Sequence, residues 1–151
     1  MSKSRSISLI LHVDDQKPGM LLMEKAFRSC GCEVPILWLE DGQKAVDYLQ
    51  GSGIYAGQVK PQLPTMILLD LKMPVLDGVD VLKIIKNDTH LKLIPVVVLS
   101  SSVNDDDVTM AYDAGANAFV GKPMHYPGFQ ELARCFKKFW FTQNHFPTVV
   151  T

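Results

Sequence analysis

The sequence predicts an α/β fold, a doubly wound five-stranded parallel sheet in the order 2-1-3-4-5 with helices on both faces. Three observations carry that expectation. Short, wholly apolar runs alternate five times with segments of helical periodicity, the pattern of strands buried on both faces. A length of 151 residues suffices for one such domain and leaves little for a second. Every apolar run but the second ends on Asp, Ser or Lys, and right-handed crossovers bring those ends to one edge of the sheet.

The elements follow in order. Ile7 to Val13 is leucine-rich and β-branched and reads as the first strand, closed by Asp14 and Asp15. Pro18 suits a first helical turn, Leu22, Met23, Ala26, Phe27 and Cys30 recur at helical spacing, and Gly31 is a natural stop. Ile36 to Leu39 is a second strand, with Asp41 placed to cap a short helix carrying Ala45, Val46 and Leu49. A loop rich in Gly and Pro runs from about Gly51 to Thr65. Met66 to Leu69 is a buried-type strand ending at Asp70, and a helix with Val81, Leu82 and Ile85 follows. Pro95 to Leu99 leads into Ser100. Asp105, Asp106 and Asp107 then fit the first turn of a helix that carries Val108, Ala111 and Tyr112 and stops at Gly115. Ala118 to Gly121 ends at Lys122-Pro123, and a last helix holds Phe129, Leu132, Ala133, Phe136 and Trp140.

Composition excludes several classes. With 47% hydrophobic and 21% charged residues the chain is not disordered. Fifteen basic against sixteen acidic side chains leave a net charge of -1, so no positive field recruits nucleic acid or an anionic membrane. Apolar runs of about four to six residues are too short to span a bilayer, and the polar N-terminus lacks a signal-peptide core. The expectation is a cytoplasmic protein. Cys30, Cys32 and Cys135 are an odd number with no second pair at zinc spacing, which argues for reduced thiols. His12, His90, His125 and His145 share no spacing and read as structural.

The predicted topology brings Asp14, Asp15, Asp70, Ser100 and Lys122 to the carboxyl edge, where the first and third strands are neighbours. By residue type alone, Asp14 also fits a helix N-cap and Asp15 a first-turn charge. Three crowded carboxylates must share protons or bind a cation. Hard oxygen ligands suit Mg²⁺, and a lysine and a serine beside it suit a phosphoryl group. One of the carboxylates is then a candidate nucleophile, giving an aspartyl phosphate.

Asp14-Asp15, Asp70 with Met73-Pro74 and Gly78 behind it, Ser100 and Lys122-Pro123 together resemble the receiver domain of bacterial two-component response regulators, a flavodoxin-like, CheY-like (βα)5 fold. The resemblance covers about residues 7 to 140. It implies Asp70 as phosphoacceptor and Mg²⁺ (or Mn²⁺) as cofactor, held by Asp14, Asp15, Asp70 and the backbone carbonyl of Lys72. It further implies Lys122 against the phosphoryl group, Ser100 and Phe119 as the switch pair, and a cis Lys122–Pro123 peptide. The loop with Gly51, Gly53, Tyr55, Ala56 and Pro61, and the ending Lys138-Phe139-Trp140, resemble stand-alone receivers often encoded with bacterial phytochrome histidine kinases. Some of those receivers dimerise through the last helix.

The expectation is therefore one receiver domain over residues 7–144, flexible termini at 1–6 and 145–151, and no output domain. Its partner is a histidine kinase, and a bacterial phytochrome on the subfamily likeness. Phe129, Phe136 and Trp140 serve the core, which leaves Phe139, Phe141 and Phe146 for a homodimer interface unless the tail folds back over them. Lys72 departs from the commonest family pattern, in which a small polar side chain often stands two residues past the acceptor. Its ammonium is expected either to pair with a site carboxylate, to shield the acyl phosphate, or to point away into solvent. Gln16 either tunes water access or simply shapes its loop.

Two rivals stand beside the receiver reading, which expects no separate substrate turnover. One is an interaction module of the same fold that is never phosphorylated, for which Lys72 is the only feature. The other is a phosphatase of the haloacid dehalogenase type, which commonly has a second aspartate where this chain has Lys72 and for which no cap domain is present. A flavodoxin-type cofactor site is disfavoured, since the turn after the first strand is acidic where a phosphate cradle wants Gly, Ser or Thr.

Overall fold

A computed structural model describes residues 7–57 and 62–149. Pro61, one of the loop residues of the subfamily likeness, lies outside the described residues, as do both chain ends. The strands are β1 Ile10–Val13, β2 Ile36–Leu39, β3 Met66–Leu69, β4 Val96–Ser100 and β5 Ala118–Gly121. The helices are α1 Lys17–Ser29, α2 Gly42–Gln50, α3 Gly78–Asn87, α4 Asp105–Asp113 and α5 Tyr126–Lys138. All neighbouring strands are parallel and the order is β2-β1-β3-β4-β5, as the sequence predicts.

The sheet divides two apolar clusters. Leu11, Val13, Ile67, Leu69, Val96 and Val98 face α2, α3 and α4. Ile10, Met66, Leu68, Val97 and Leu99 face α1 and α5 through Met23, Phe27, Phe129 and Phe136. β1, β3 and β4 are therefore apolar on both faces apart from His12 and Ser100, which is why their sequences show no alternation. β1 starts three residues later than the apolar pattern suggests. Ser8 bonds to the Thr65 side chain, so the ladder begins at Ile10.

Capping follows side-chain chemistry. Asp41 accepts from the Lys44 amide, Asp77 from Asp80 and Asn104 from Asp107, each satisfying one free N–H of its helix. Gly31 takes the left-handed conformation (φ 80°) that ends α1.

Val75, in the loop after β3, is the one non-glycine with positive φ among the described residues, at 68°. A β-branched side chain is strained there, and with 95% of its surface exposed it gains nothing from packing. Val75→Asn, which tolerates this conformation, is expected to stabilise the protein by about 1 kcal/mol in urea denaturation.

The C-terminus corrects two expectations. After α5 the chain makes a π-helical turn, Phe139–Gln143, whose wider winding rotates the following side chains relative to an α-helical continuation. Phe141 thereby packs on Phe27 (5.7 Å between centroids) and Phe136 (6.3 Å), and Phe146 is buried beside Trp140. Of the three aromatics expected to drive pairing between copies, Phe139 alone stays exposed, at 54%. The tail folds back, and with Phe146 buried and Val149 partly buried the packed chain extends past residue 144.

Candidate functional site

Register builds the site. Val13 pairs with both Leu39 and Leu69, so the residues after β1 and β3 leave the sheet side by side. The Asp14 amide donates to Leu39 O (3.1 Å) and the Asp70 amide to Val13 O (2.9 Å). Ser100 pairs with Gly121, and the Lys122 amide donates to Ser100 O at 2.7 Å. Continuing those ladders by one residue brings the two carboxylates and the lysine together at one edge.

One oxygen each from Asp14, Asp15 and Asp70 lie within 4.8 Å of one another. Lys122 Nζ donates to Asp14 Oδ2 at 2.8 Å and stands 3.7 Å from Asp70 Oδ2. The Asp14 side chain is not a helix cap. Its Oδ1 accepts the Gln16 amide at 2.8 Å, and Gln16 occupies the N-cap position of α1. Asp15 Oδ1 is buried and has no hydrogen-bond partner in the protein. A buried carboxylate oxygen without a donor is costly, and a cation is the partner its chemistry asks for. Three carboxylates facing one ammonium leave the cluster short of positive charge, so the donor set fits a hard divalent ion.

Burial pushes the Asp70 carboxyl up to about 6, with Asp14 and Asp15 adding to the shift and Lys122 and the Lys72 amide (3.3 Å) opposing it. Below the sheet edge, His12 is fully enclosed, its Nε2 3.8 Å from Asp14 Oδ2. Desolvation lowers its pKa to about 4, so it is neutral near pH 7. These two groups act on stability in opposite directions. Folded Asp70 holds its proton up to about pH 6 while the unfolded chain releases it near 3.8, so its contribution is lost as pH rises through that window. Unfolded His12 takes up a proton near 6.5 and folded His12 only near 4, so its contribution is lost as pH falls. In metal-free protein, Asp70→Asn removes the first effect and leaves the second. The variant is expected to gain on the wild type by about 2 kcal/mol between pH 4 and pH 6.5, after allowance for screening by water, in denaturant titrations with chelator present.

Gly78 sets the entry of the β3–α3 loop. Its amide donates to Leu71 O at 2.8 Å, and a Cβ there stands 2.2 Å from Asp70 O and 2.6 Å from Leu71 Cα. Only glycine allows α3 to start this close beneath Asp70.

The remaining expected residues are placed as follows. Ser100 is fully buried at the end of β4, and its Oγ accepts the Ser102 amide at 3.2 Å. Phe119 is partly buried, pairs with Val98 and packs on the cluster facing α4. Lys72 does not pair with a site carboxylate; its Nζ reaches Asp107 Oδ1 on α4 at 3.3 Å. The Lys122–Pro123 peptide, expected cis, is trans. Trans is the lower-energy isomer of an X–Pro bond, and Lys122 reaches both carboxylates from it. Asp105–Asp107 open α4, as their charge pattern suggests.

Two residues beside the site escape a reading by residue type. His12 is two residues before Asp14 on the same face of β1, a period-2 signal that does mark it. Trp38, paired with His12 in the ladder, donates its indole N–H to Asp14 O at 2.7 Å. No spacing in the sequence announces that bond.

The chain matches the model of the response regulator receiver domain over residues 10–134. It is 37% identical over 139 residues to a probable methanogenesis regulatory protein, FilR2, of Methanothrix harundinacea, covering 92% of this chain and 87% of that one. The crystal structure of the Mn²⁺-bound form of response regulator Rcp1, a Synechocystis protein, is similar with a TM-score of 0.82 at 33% identity, over 93% of this chain and 99% of that one. The phosphorylated cyanobacterial phytochrome response regulator RcpA is similar with a TM-score of 0.86 at 34% identity, over 95% and 100%. Among the described residues no helix is long and apolar enough to cross a membrane.

Proposed function

The chain belongs to the response regulator receiver family and is a signalling protein of a two-component system, and from that premise we propose that Asp70 is its phosphoacceptor. The observation that carries the assignment is the cluster itself. Three carboxylates lie within 4.8 Å, one with a buried oxygen that lacks a donor, beside one ammonium. Asp70 is the carboxylate with a shared contact to Lys122 and no bond from a helix-start amide, so it is the one free to react.

In the proposed reaction a carboxylate oxygen of Asp70 attacks the phosphorus of a phosphohistidine on a partner histidine kinase. The P–N bond breaks as the P–O bond of the acyl phosphate forms, and the imidazole is left to take up a proton. Asp14, Asp15, Asp70 and the Lys72 carbonyl would hold Mg²⁺ or Mn²⁺, which when bound offsets charge on the phosphoryl oxygens. Lys122, 3.7 Å from Asp70 Oδ2, is positioned to meet the same developing charge from the protein side. Ser100 and Phe119, on neighbouring strands, are the proposed route to the surface of α4, β5 and α5. Signalling is then a population shift set by contacts that only the phosphorylated state makes. The likeness to RcpA, a phytochrome response regulator, supports a phytochrome kinase as the donor.

The test is intact mass after incubation with acetyl phosphate and Mg²⁺. One added phosphoryl group, absent when chelator is present from the start, supports the reading, and an unmodified mass at saturating donor rejects it. The rival module that is never phosphorylated needs Lys72 on a site carboxylate. With that ammonium on Asp107, no observation favours it.

A further inference from the structure

One ion pair beside the site has no part in the proposed chemistry. Lys72, two residues past Asp70, sends its ammonium to Asp107 Oδ1 at 3.3 Å. Asp107 is buried in the first turn of α4, and its other oxygen accepts the Ser102 hydroxyl at 2.7 Å. Ser102 Oγ also accepts from Asn104 Nδ2 at 3.0 Å, and the Ser102 amide donates to Ser100 Oγ at 3.2 Å. A continuous run of polar contacts therefore ties the β3–α3 loop, through the start of α4, to the Ser100 hydroxyl.

We propose that Lys72 and Asp107 form a latch that holds the β4–α4 turn against Ser100, and that a phosphoryl group on Asp70 opens it by drawing the Lys72 ammonium away. The proposal rests on the reading of Asp70 as acceptor. Three features favour it. The Lys72 side chain is 64% exposed, so its ammonium can swing at little packing cost. The Lys72 amide already faces Asp70 Oδ1 at 3.3 Å, so the stem starts beside the group that would carry the new charge. An ion pair whose lysine end is this exposed is weak, whereas a phosphoryl group with charged oxygens is a strong competitor for an ammonium. Once Lys72 leaves, Asp107 is a buried carboxylate without a cation, and the first turn of α4 loosens together with the Ser102 bond to Ser100.

Amide hydrogen exchange over residues 101–107 of the full chain reads the latch directly. In wild-type protein, exchange there is expected to be slow without ligand and to rise when beryllofluoride and Mg²⁺ bind at Asp70. Lys72→Gln raises it by about two- to fivefold without any ligand, the range set by an exposed ion pair, and beryllofluoride then adds little. Lys72→Arg, which keeps the pair, stays near wild type. Asp107→Asn keeps an acceptor for Ser102 but frees Lys72, so it binds beryllofluoride about two- to fivefold more tightly. Unchanged exchange in Lys72→Gln overturns the latch, as does weaker beryllofluoride binding by Asp107→Asn. Binding is followed separately by ¹⁹F NMR. Wild type that binds beryllofluoride with no change at 101–107 rejects the latch alone. Wild type that binds none rejects the acceptor reading and the trigger with it.

Discussion

Asp70→Asn incubated with acetyl phosphate and Mg²⁺ is expected to keep its unmodified mass under conditions where the wild type gains one phosphoryl group. The substitution changes chemistry and almost nothing else. Asparagine has the shape of aspartate, and its amide oxygen can still accept from the Lys72 amide that now bonds Asp70 Oδ1. The amide, however, is no nucleophile toward phosphorus at neutral pH. Loss of fold does not account for the loss of reaction. Burial and two neighbouring carboxylates disfavour the Asp70 charge, so removing it stabilises the metal-free protein at pH 7. A variant that is more stable than the wild type and yet unreactive isolates Asp70 as the acceptor. If Asp70→Asn still takes up a phosphoryl group, Asp14 or Asp15 is the reacting carboxylate. Asp15, with its unpartnered oxygen, would be the first to replace.

What was legible in the sequence follows from where each constraint acts. β3 and β4 are legible because strands covered on both faces must be apolar throughout, and Met66–Leu69 and Val96–Leu99 are. Chain order then bears on strand order through crossover handedness, and Ser100 and the residues just past Val13, Leu69 and Gly121 fall at one edge. Contacts that depend on how distant elements pack were not legible. Lys72 and Asp107 are separated by 35 residues, and their meeting depends on where α4 starts over the sheet edge. The charge run at Asp105–Asp107 marks the helix start but does not say which of its members turns inward. The fate of Phe141 and Phe146 depends on one π-helical turn, which α-helical periodicity misplaces by a fraction of a turn. The place of His12 is hard to read for a different reason. A single histidine in an apolar strand reads as core by residue type, and only its period-2 relation to Asp14 ties it to the site.

Lys122→Met is expected to separate two roles that one ammonium now combines. Lys122 is only 14% exposed and touches two carboxylates, at 2.8 and 3.7 Å. Among the described residues it is the one Lys or Arg in contact with the cluster, since Lys72 is turned to Asp107 and His12 is neutral near pH 7. Its loss leaves three carboxylates with no cation, a change that costs about 3 kcal/mol when a partly buried pair is broken from one side. Without metal the variant therefore melts well below the wild type, and the Asp70 carboxyl moves further up because Lys122 is the main influence holding it down. Divalent metal should return most of that stability, since a ligand at 100 times its dissociation constant contributes about 2.7 kcal/mol. The phosphorylation rate should not return with it. Charge on the transferring oxygens loses a fixed donor, and removal of one such donor typically slows a reaction by about 10²–10³-fold. Thermal melts and initial rates of mass gain from acetyl phosphate, each with and without saturating Mg²⁺, read the two effects independently. Recovery of stability with a slow reaction assigns Lys122 to the transferring group. Recovery of both would reduce it to a counter-ion for Asp14 and Asp70, leaving the metal alone to balance the phosphoryl charge.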